Sequence, residues 1–227
     1  MDDPLFREHR ARMVNEQLRA RGVRDPRVLH AMSEVPRHLF VPEALRGRAY
    51  DDEPLPIGLR QTISQPYMVA VMLEAMELTG SESVLEVGTG SGYQAALLGE
   101  LAREVWSVEI IPELADGARR LMADLGYSNV HALVADGSIG LPAHAPYDAI
   151  VVAAGAPEVP AALVRQLAQG GRLLVPVGGS DHQMLQRIRR DGAETTTEAL
   201  LSCAFVPLVG AQGWGPGGAA SGSAWVP

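Results

Sequence analysis

The sequence predicts an α/β protein with a doubly wound, mostly parallel sheet and an N-terminal helical addition. Three observations predict it. From Ser83 onward, apolar β-branched runs alternate with helical patterns. The first run, Val84-Leu85-Glu86-Val87, passes straight into Gly88-Thr89-Gly90-Ser91-Gly92 and then into the helix-like Tyr93-Gln94-Ala95-Ala96-Leu97-Leu98. Gly88, Glu109 and Asp136 close successive strand candidates, at the carboxyl ends where such sheets collect ligands.

The elements follow in chain order. Met13, Val14 and Leu18 share a helical face within residues 5–21, and Gly22 stops that helix. Asp25-Pro26 supplies an N-cap and a first-turn proline for a second helix, which Pro36 ends. Residues 36–64, with Pro42, Pro54, Pro56 and Gly58, read as one long irregular connection. Pro66 opens a helix whose apolar face is Val69, Met72, Leu73 and Met76, running to about Leu78. Strands are expected at 83–87, 104–109, 130–135, 148–153 and 172–177, with helices at 93–102, 112–125 and 160–167. Two more strands, 184–190 and 198–207, lie on either side of Asp191-Gly192 and should be antiparallel. The chain then divides into a helical and loop region at 1–66, a main domain at 67–212, and a flexible Gly/Ala/Ser-rich tail at 213–227.

The chain has 227 residues and is 47% hydrophobic, enough for one domain with a sizeable core. No apolar run is long enough to span a bilayer, and no signal-peptide pattern opens the chain, so a cytoplasmic protein without membrane contact is expected. A net charge of −8 argues against a general nucleic-acid binder. The single cysteine, Cys203, rules out an internal disulfide, and its apolar neighbours Leu200, Leu201, Ala204 and Phe205 suit a packing thiol. The six histidines lack metal-ligand spacing, so no metal is expected.

The glycine stretch carries the first chemical signal. A dinucleotide loop reads G-x-G-x-x-G, whereas Gly88, Gly90 and Gly92 read G-x-G-x-G behind an acid, Glu86. That acid would repel a pyrophosphate but can hold an ammonium, directly or through water. The loop therefore suits a nucleoside bearing an amino acid, and S-adenosylmethionine has that composition. A plain glycine-rich strand-to-helix turn explains the glycines alone. Glu109, about twenty residues on at a strand end, can accept both ribose hydroxyls. Taken in this order, the three features indicate a Rossmann-like class I S-adenosylmethionine-dependent methyltransferase. Asp136-Gly137 is open to two readings: an adenine-amino acceptor with neighbouring amides, or an Asp-Gly turn.

Gln61-Thr62-Ile63-Ser64-Gln65-Pro66 sets small hydroxyl residues against a helix start. Thr62 or Ser64 can cap that helix. Alternatively, the hydroxyls and exposed amides can receive a carboxylate.

The run Glu53-Pro54-Leu55-Pro56-Ile57-Gly58, the stretch 61–70, the stretch 84–96, Ala145-Pro146-Tyr147-Asp148-Ala149-Ile150-Val151-Val152, Gly170-Gly171-Arg172-Leu173-Leu174-Val175-Pro176-Val177-Gly178 and Phe205-Val206-Pro207-Leu208 together resemble the protein-L-isoaspartate O-methyltransferase family. The likeness runs from about Val14 to Trp214, and Thr62-Ile63-Ser64-Gln65-Pro66 is its most diagnostic part. The resemblance implies methyl transfer from S-adenosylmethionine to the α-carboxylate of L-isoaspartyl residues in damaged proteins and peptides, with repair proceeding through a succinimide. It implies that Ser64 is the active-site serine. It assigns Glu86, Gly88, Thr89, Gly90 and Gly92 to the methionine-side loop, Glu109 and Ile110 to the ribose side, and Ala135, Asp136 and Gly137 to the adenine side. Gln61, Thr62, Ile63, Val69, Val209 and Gln212 fall on the substrate side. The chain departs from the common pattern at Ala135, where glycine is frequent, at Ile110, where a basic residue is frequent, and at Val209, where threonine is frequent. The family is also reported to interchange its last two strands relative to other class I methyltransferases. Alternatives are a methyltransferase for a dedicated aspartyl peptide or a small carboxylate, and a cofactor-retaining binding module without turnover.

Overall fold

The computed structural model describes residues 3–215. Helix α1, Pro4–Arg12, starts at Asp3, whose carboxylate accepts the Leu5 amide at 2.9 Å. It continues without a break into a π-helical turn, Met13–Leu18, and a 3₁₀ turn, Arg19–Arg21, ended by Gly22 at φ 102°. The wide turn buries Met13, Val14 and Leu18 together. Helix α2, Pro26–Glu34, has the expected cap: the Asp25 carboxylate accepts the Arg27 amide at 2.8 Å.

Residues 36–64 are more ordered than the sequence suggests. They hold 3₁₀ turns at Arg37–Phe40 and Glu43–Arg48, then an antiparallel hairpin of β1, Leu55–Gly58, and β2, Gln61–Ile63. Prolines 54 and 56 argue against a strand. The turn also lacks an Asn-Gly signal, because Leu59 and Arg60 themselves adopt φ 51° and 60°. Helix α3, Pro66–Ala75, follows at once.

The main sheet has seven strands: β3 Ser83–Val87, β4 Glu104–Glu109, β5 Val130–Val134, β6 Tyr147–Val152, β7 Leu167–Gly178, β8 Gln183–Asp191 and β9 Glu194–Cys203. Their order is β5-β4-β3-β6-β7-β8-β9. The first five are parallel, and β8 and β9 are antiparallel. The last two strands therefore form a hairpin, with β8 beside β7 and β9 at the edge. Helices α4 Tyr93–Leu101, α5 Pro112–Leu125 and α6 Ala161–Arg165 connect the parallel strands. β9 ends before its expected limit of 207. Residues 205–208 instead leave the sheet and cross the strand ends, where the Gly155 amide donates to the Val206 carbonyl and the Leu208 amide to the Gly155 carbonyl, both at 2.8 Å.

Alternate strand residues divide between two apolar layers, as period-two geometry requires. Val84, Val151 and Leu174 pack with α2, α3 and α4 on one face. Leu85, Val87, Ile150, Val152, Leu173 and Val175 pack with Leu163 of α6 on the other. Residues of the N-terminal region, including Leu18, Met32 and Leu55, belong to the first layer, so they share a core with the sheet. Cys203 is buried, and burial pushes its thiol up to about 11. Among the described residues, no helix is long and apolar enough to cross a membrane. Residues 216–227 of the expected tail lie outside the described residues. Trp214 is tied down, its indole donating to the Gly155 carbonyl at 2.9 Å.

Candidate active site

A cavity of about 390 Å³ opens at the carboxyl ends of β3, β4 and β6, between the glycine loop, the β1–β2 hairpin and the 206–209 crossing. Its size falls within the range of small-molecule sites. Gly88 and Gly90 have φ of 95° and 52°, conformations open to glycine at little cost. They turn the chain sharply from β3 so that its backbone forms the floor. Gly88, Thr89 and Gly90 line the cavity. Gly92, also left-handed, lies off the wall; a Cβ there would meet Ala118 at 3.2 Å and Met122 at 3.3 Å, so its smallness serves the packing of α4 on α5.

Glu109 ends β4 and lines the cavity. Its Oε2 accepts the Gly90 amide at 2.9 Å and its Oε1 accepts the Ile111 amide at 3.0 Å. Each oxygen keeps a lone pair for a diol. Ile110 lines the wall beside it and is 43% exposed. Glu86 is fully buried and stands behind the wall. Its Oε2 accepts the Ser107 hydroxyl at 2.5 Å, and Ser107 Oγ in turn lies 2.6 Å from the Thr89 hydroxyl. Glu86 thus reaches the glycine loop through two hydroxyls. Burial, reinforced by the charge of Glu109, pushes its carboxyl up to about 8, although the Ser107 hydrogen bond pulls it down.

The adenine-side expectation divides. Gly137 lines the cavity. Asp136 lies off the wall: Oδ1 accepts the Ser138 amide and hydroxyl at 2.9 and 2.6 Å, and Oδ2 accepts the Ala211 amide at 2.8 Å. These bonds hold its carboxyl below the usual range against the opposing effect of burial. Ala135 also lies off the wall, its amide donating to the Glu109 carbonyl at 3.0 Å.

On the substrate side, Gln61, Thr62, Ile63, Ser64, Val69 and Val209 all line the cavity. Neither Thr62 nor Ser64 caps α3; the N-cap is Gln65, without a side-chain bond. Ser64 instead stands just before the positive end of that helix. Gln212 points elsewhere, its Oε1 accepting the Ala162 amide at 2.9 Å. Sequence reasoning passed over Gln94, a wall residue whose buried Nε2 has no hydrogen-bond partner. It also passed over Ala153 and Ala154 at the end of β6. The strand-end rule that picked out Gly88 and Glu109 applies equally to that end.

The cavity fits S-adenosylmethionine on three counts: a floor of glycine backbone at Gly88 and Gly90, a diol-accepting carboxylate at Glu109, and a buried Gln94 amide nitrogen on the wall without a hydrogen-bond partner. The fold and the site define a class I S-adenosylmethionine-dependent methyltransferase.

Comparison with known proteins narrows the class. The family model described as protein-L-isoaspartate(D-aspartate) O-methyltransferase (PCMT) matches residues 8–213. The chain is 55% identical to the protein-L-isoaspartate O-methyltransferase of Syntrophus aciditrophicus (strain SB), over 92% of this chain and 97% of that one. It is also 55% identical to protein-L-isoaspartate O-methyltransferase 2 of Pelobacter propionicus, over 94% and 97%. A solved protein-L-isoaspartate O-methyltransferase superposes with a TM-score of 0.77 at 30% identity, covering 86% of this chain and 64% of that longer one. A beta-aspartate methyltransferase from Plasmodium falciparum, in complex with S-adenosyl-L-homocysteine, gives 0.76 at 25% identity, over 88% and 97%. The chain belongs to the protein-L-isoaspartate(D-aspartate) O-methyltransferase family. It is an enzyme of S-adenosylmethionine-dependent methylation, acting on isoaspartyl residues of damaged proteins.

Proposed function

We propose that the cavity takes the α-carboxylate of an L-isoaspartyl residue at Ser64 and the methyl donor at the glycine loop and Glu109. The observation that carries this reading is that Ser64 and Glu109 line the same cavity. Bound there, S-adenosylmethionine supplies an activated methyl on a sulfonium. The remaining work belongs to the chain. Glu109 holds the ribose and the glycine loop floors the methionine end, with Glu86 supporting the loop through Ser107 and Thr89. Gly137 meets the adenine side, and Asp136 stands behind it, holding the Ser138 turn and the Ala211 amide in place.

A carboxylate is already ionised at neutral pH, so no strong general base is needed. Ser64 acts by hydrogen-bonding and orienting that carboxylate, helped by the positive end of α3. Thr62, Ile63, Val69 and Val209 exclude water around it. Alignment of this kind can contribute up to roughly 7–11 kcal/mol, which makes positioning the leading effect. The substrate's own following backbone nitrogen then attacks the methyl ester carbonyl, displaces methanol and closes the succinimide. Ser64→Ala should lower turnover by about tenfold or more while leaving S-adenosylhomocysteine affinity within about threefold. Equal losses in methyl transfer and in calorimetric binding would refute the positioning role.

A further inference from the structure

Arg37 is a fully buried guanidinium for which no carboxylate partner exists among the described residues. Its Nε donates to the Ala49 carbonyl at 2.6 Å and its Nη2 to the Ser64 carbonyl at 2.9 Å. Nη1 is buried and finds no hydrogen-bond partner. The guanidinium carbon stands 4.9 Å from the ring centroid of Tyr93, itself a wall residue of the cavity. Burial lowers its pKa to about 10, so it stays charged at neutral pH.

A buried cation without an anion is costly, and an apolar side chain of similar volume would relieve that cost. Stability alone therefore gives a poor reason for an arginine here. The cavity gives a better one. Among the described residues the only charged one on its wall is Glu109, an acid, although the substrate group proposed above is a carboxylate. Arg37 lies directly behind the strip that receives that group, where low dielectric weakens screening of its charge.

We propose that Arg37 is a positioning residue for methyl transfer: by gripping the Ser64 carbonyl and backing Tyr93 it fixes the Ser64 strip, and it supplies the positive charge that the wall lacks for an incoming peptide carboxylate. This rests on the role proposed above for Ser64. Arg37 touches neither reactant: it acts through the strip it holds and through its charge.

The test compares R37M, R37K, S64A and the R37M/S64A double variant, using an isoaspartyl peptide for kinetics and S-adenosylhomocysteine for calorimetry, with folding checked by thermal unfolding. R37M should raise the peptide KM by about tenfold while S-adenosylhomocysteine affinity stays within about threefold. R37K keeps the charge but cannot make both directed bonds, and its KM should fall between wild type and R37M. The double variant should keep a peptide KM at least as high as that of R37M, since truncating the Ser64 side chain leaves its carbonyl, and so the Arg37 contact, in place. Peptide KM unchanged in folded R37M, equal loss of peptide and S-adenosylhomocysteine binding, or a double-variant KM back at the wild-type value would each overturn the proposal. Should R37M fail to fold, R37K alone decides: a KM within about twofold of wild type overturns it. Undiminished turnover in S64A refutes the Ser64 reading, whereas an impaired S64A beside an unimpaired R37M refutes only the role of Arg37.

Discussion

Glu109 and Gly90 are joined by a hydrogen bond of 2.9 Å from the loop amide to the strand-end carboxylate. The acid proposed to meet the ribose therefore also fixes the glycine loop proposed to meet the methionine. Loss of the carboxylate should disturb both ends of the nucleoside at once. Glu109→Ala removes a charged acceptor from two amides and from the ligand. Bonds of this kind contribute about 1.5–3 kcal/mol each. S-adenosylhomocysteine affinity should fall by at least about tenfold. Isothermal calorimetry measures it; affinity within twofold of wild type would remove Glu109 from the site.

Glu86 gives a pH signature. Burial raises its carboxyl from 4.5 to about 8, so the folded protein holds this proton more tightly than the unfolded chain does. The stability it contributes is complete below the ordinary value and is lost as pH rises toward about 8. Each pKa unit corresponds to about 1.4 kcal/mol at most. Glu86→Gln keeps a neutral hydrogen-bonding group and removes the titration. Relative to wild type, the variant should be more stable at alkaline pH than at pH 5. Urea unfolding across that range checks it, and parallel stability curves would contradict the assignment.

Much of this protein was legible in its sequence. The parallel strands, Asp25 as a cap and the cavity positions of Gly88 and Glu109 follow from local chemistry, whereas local chemistry leaves Ser64 open between a helix cap and a carboxylate site and the family likeness favours the second. What escaped depends on contacts distant in sequence. The β1–β2 hairpin bends at Leu59-Arg60, residues that do not announce a left-handed turn. Residues 205–208 look like the end of a strand but are captured by Gly155. Glu86 reads as a ligand acid, yet nothing local says that Ser107 and Thr89 stand between it and the cavity. Arg37 sits in a polar-looking stretch, and its burial becomes visible only when Ala49 and Ser64 close around it.

Gly137 is small because the sheet is close. A Cβ there would lie 2.4 Å from Val87 Cγ1 and 3.0 Å from Val108 Cγ2. Both neighbours are β-branched and buried, so neither can rotate away freely. Gly137→Ala should destabilise the protein by about 1–3 kcal/mol, the usual cost of overpacking. Denaturant unfolding would show it, and a midpoint equal to wild type would mean that the strand ends yield more easily than their packing implies.

Asp136 links the adenine side to the 208–214 segment. Its Oδ2 accepts the Ala211 amide, and Ser138, bound to its Oδ1, accepts the Gln212 amide at 2.9 Å. Gly210 passes so near that a Cβ would lie 2.1 Å from Oδ1. The same segment carries Val209 onto the cavity wall. Asp136→Ala should therefore weaken S-adenosylhomocysteine binding and also loosen the segment that closes the peptide side. Asp136→Asn retains one acceptor oxygen and should preserve more of the latch than of the charge. Hydrogen exchange at the Ala211 and Gln212 amides reports the latch, and calorimetry reports the ligand. Faster exchange with unchanged affinity would confine Asp136 to a structural role; lost affinity with unchanged exchange would separate the two sides of the site.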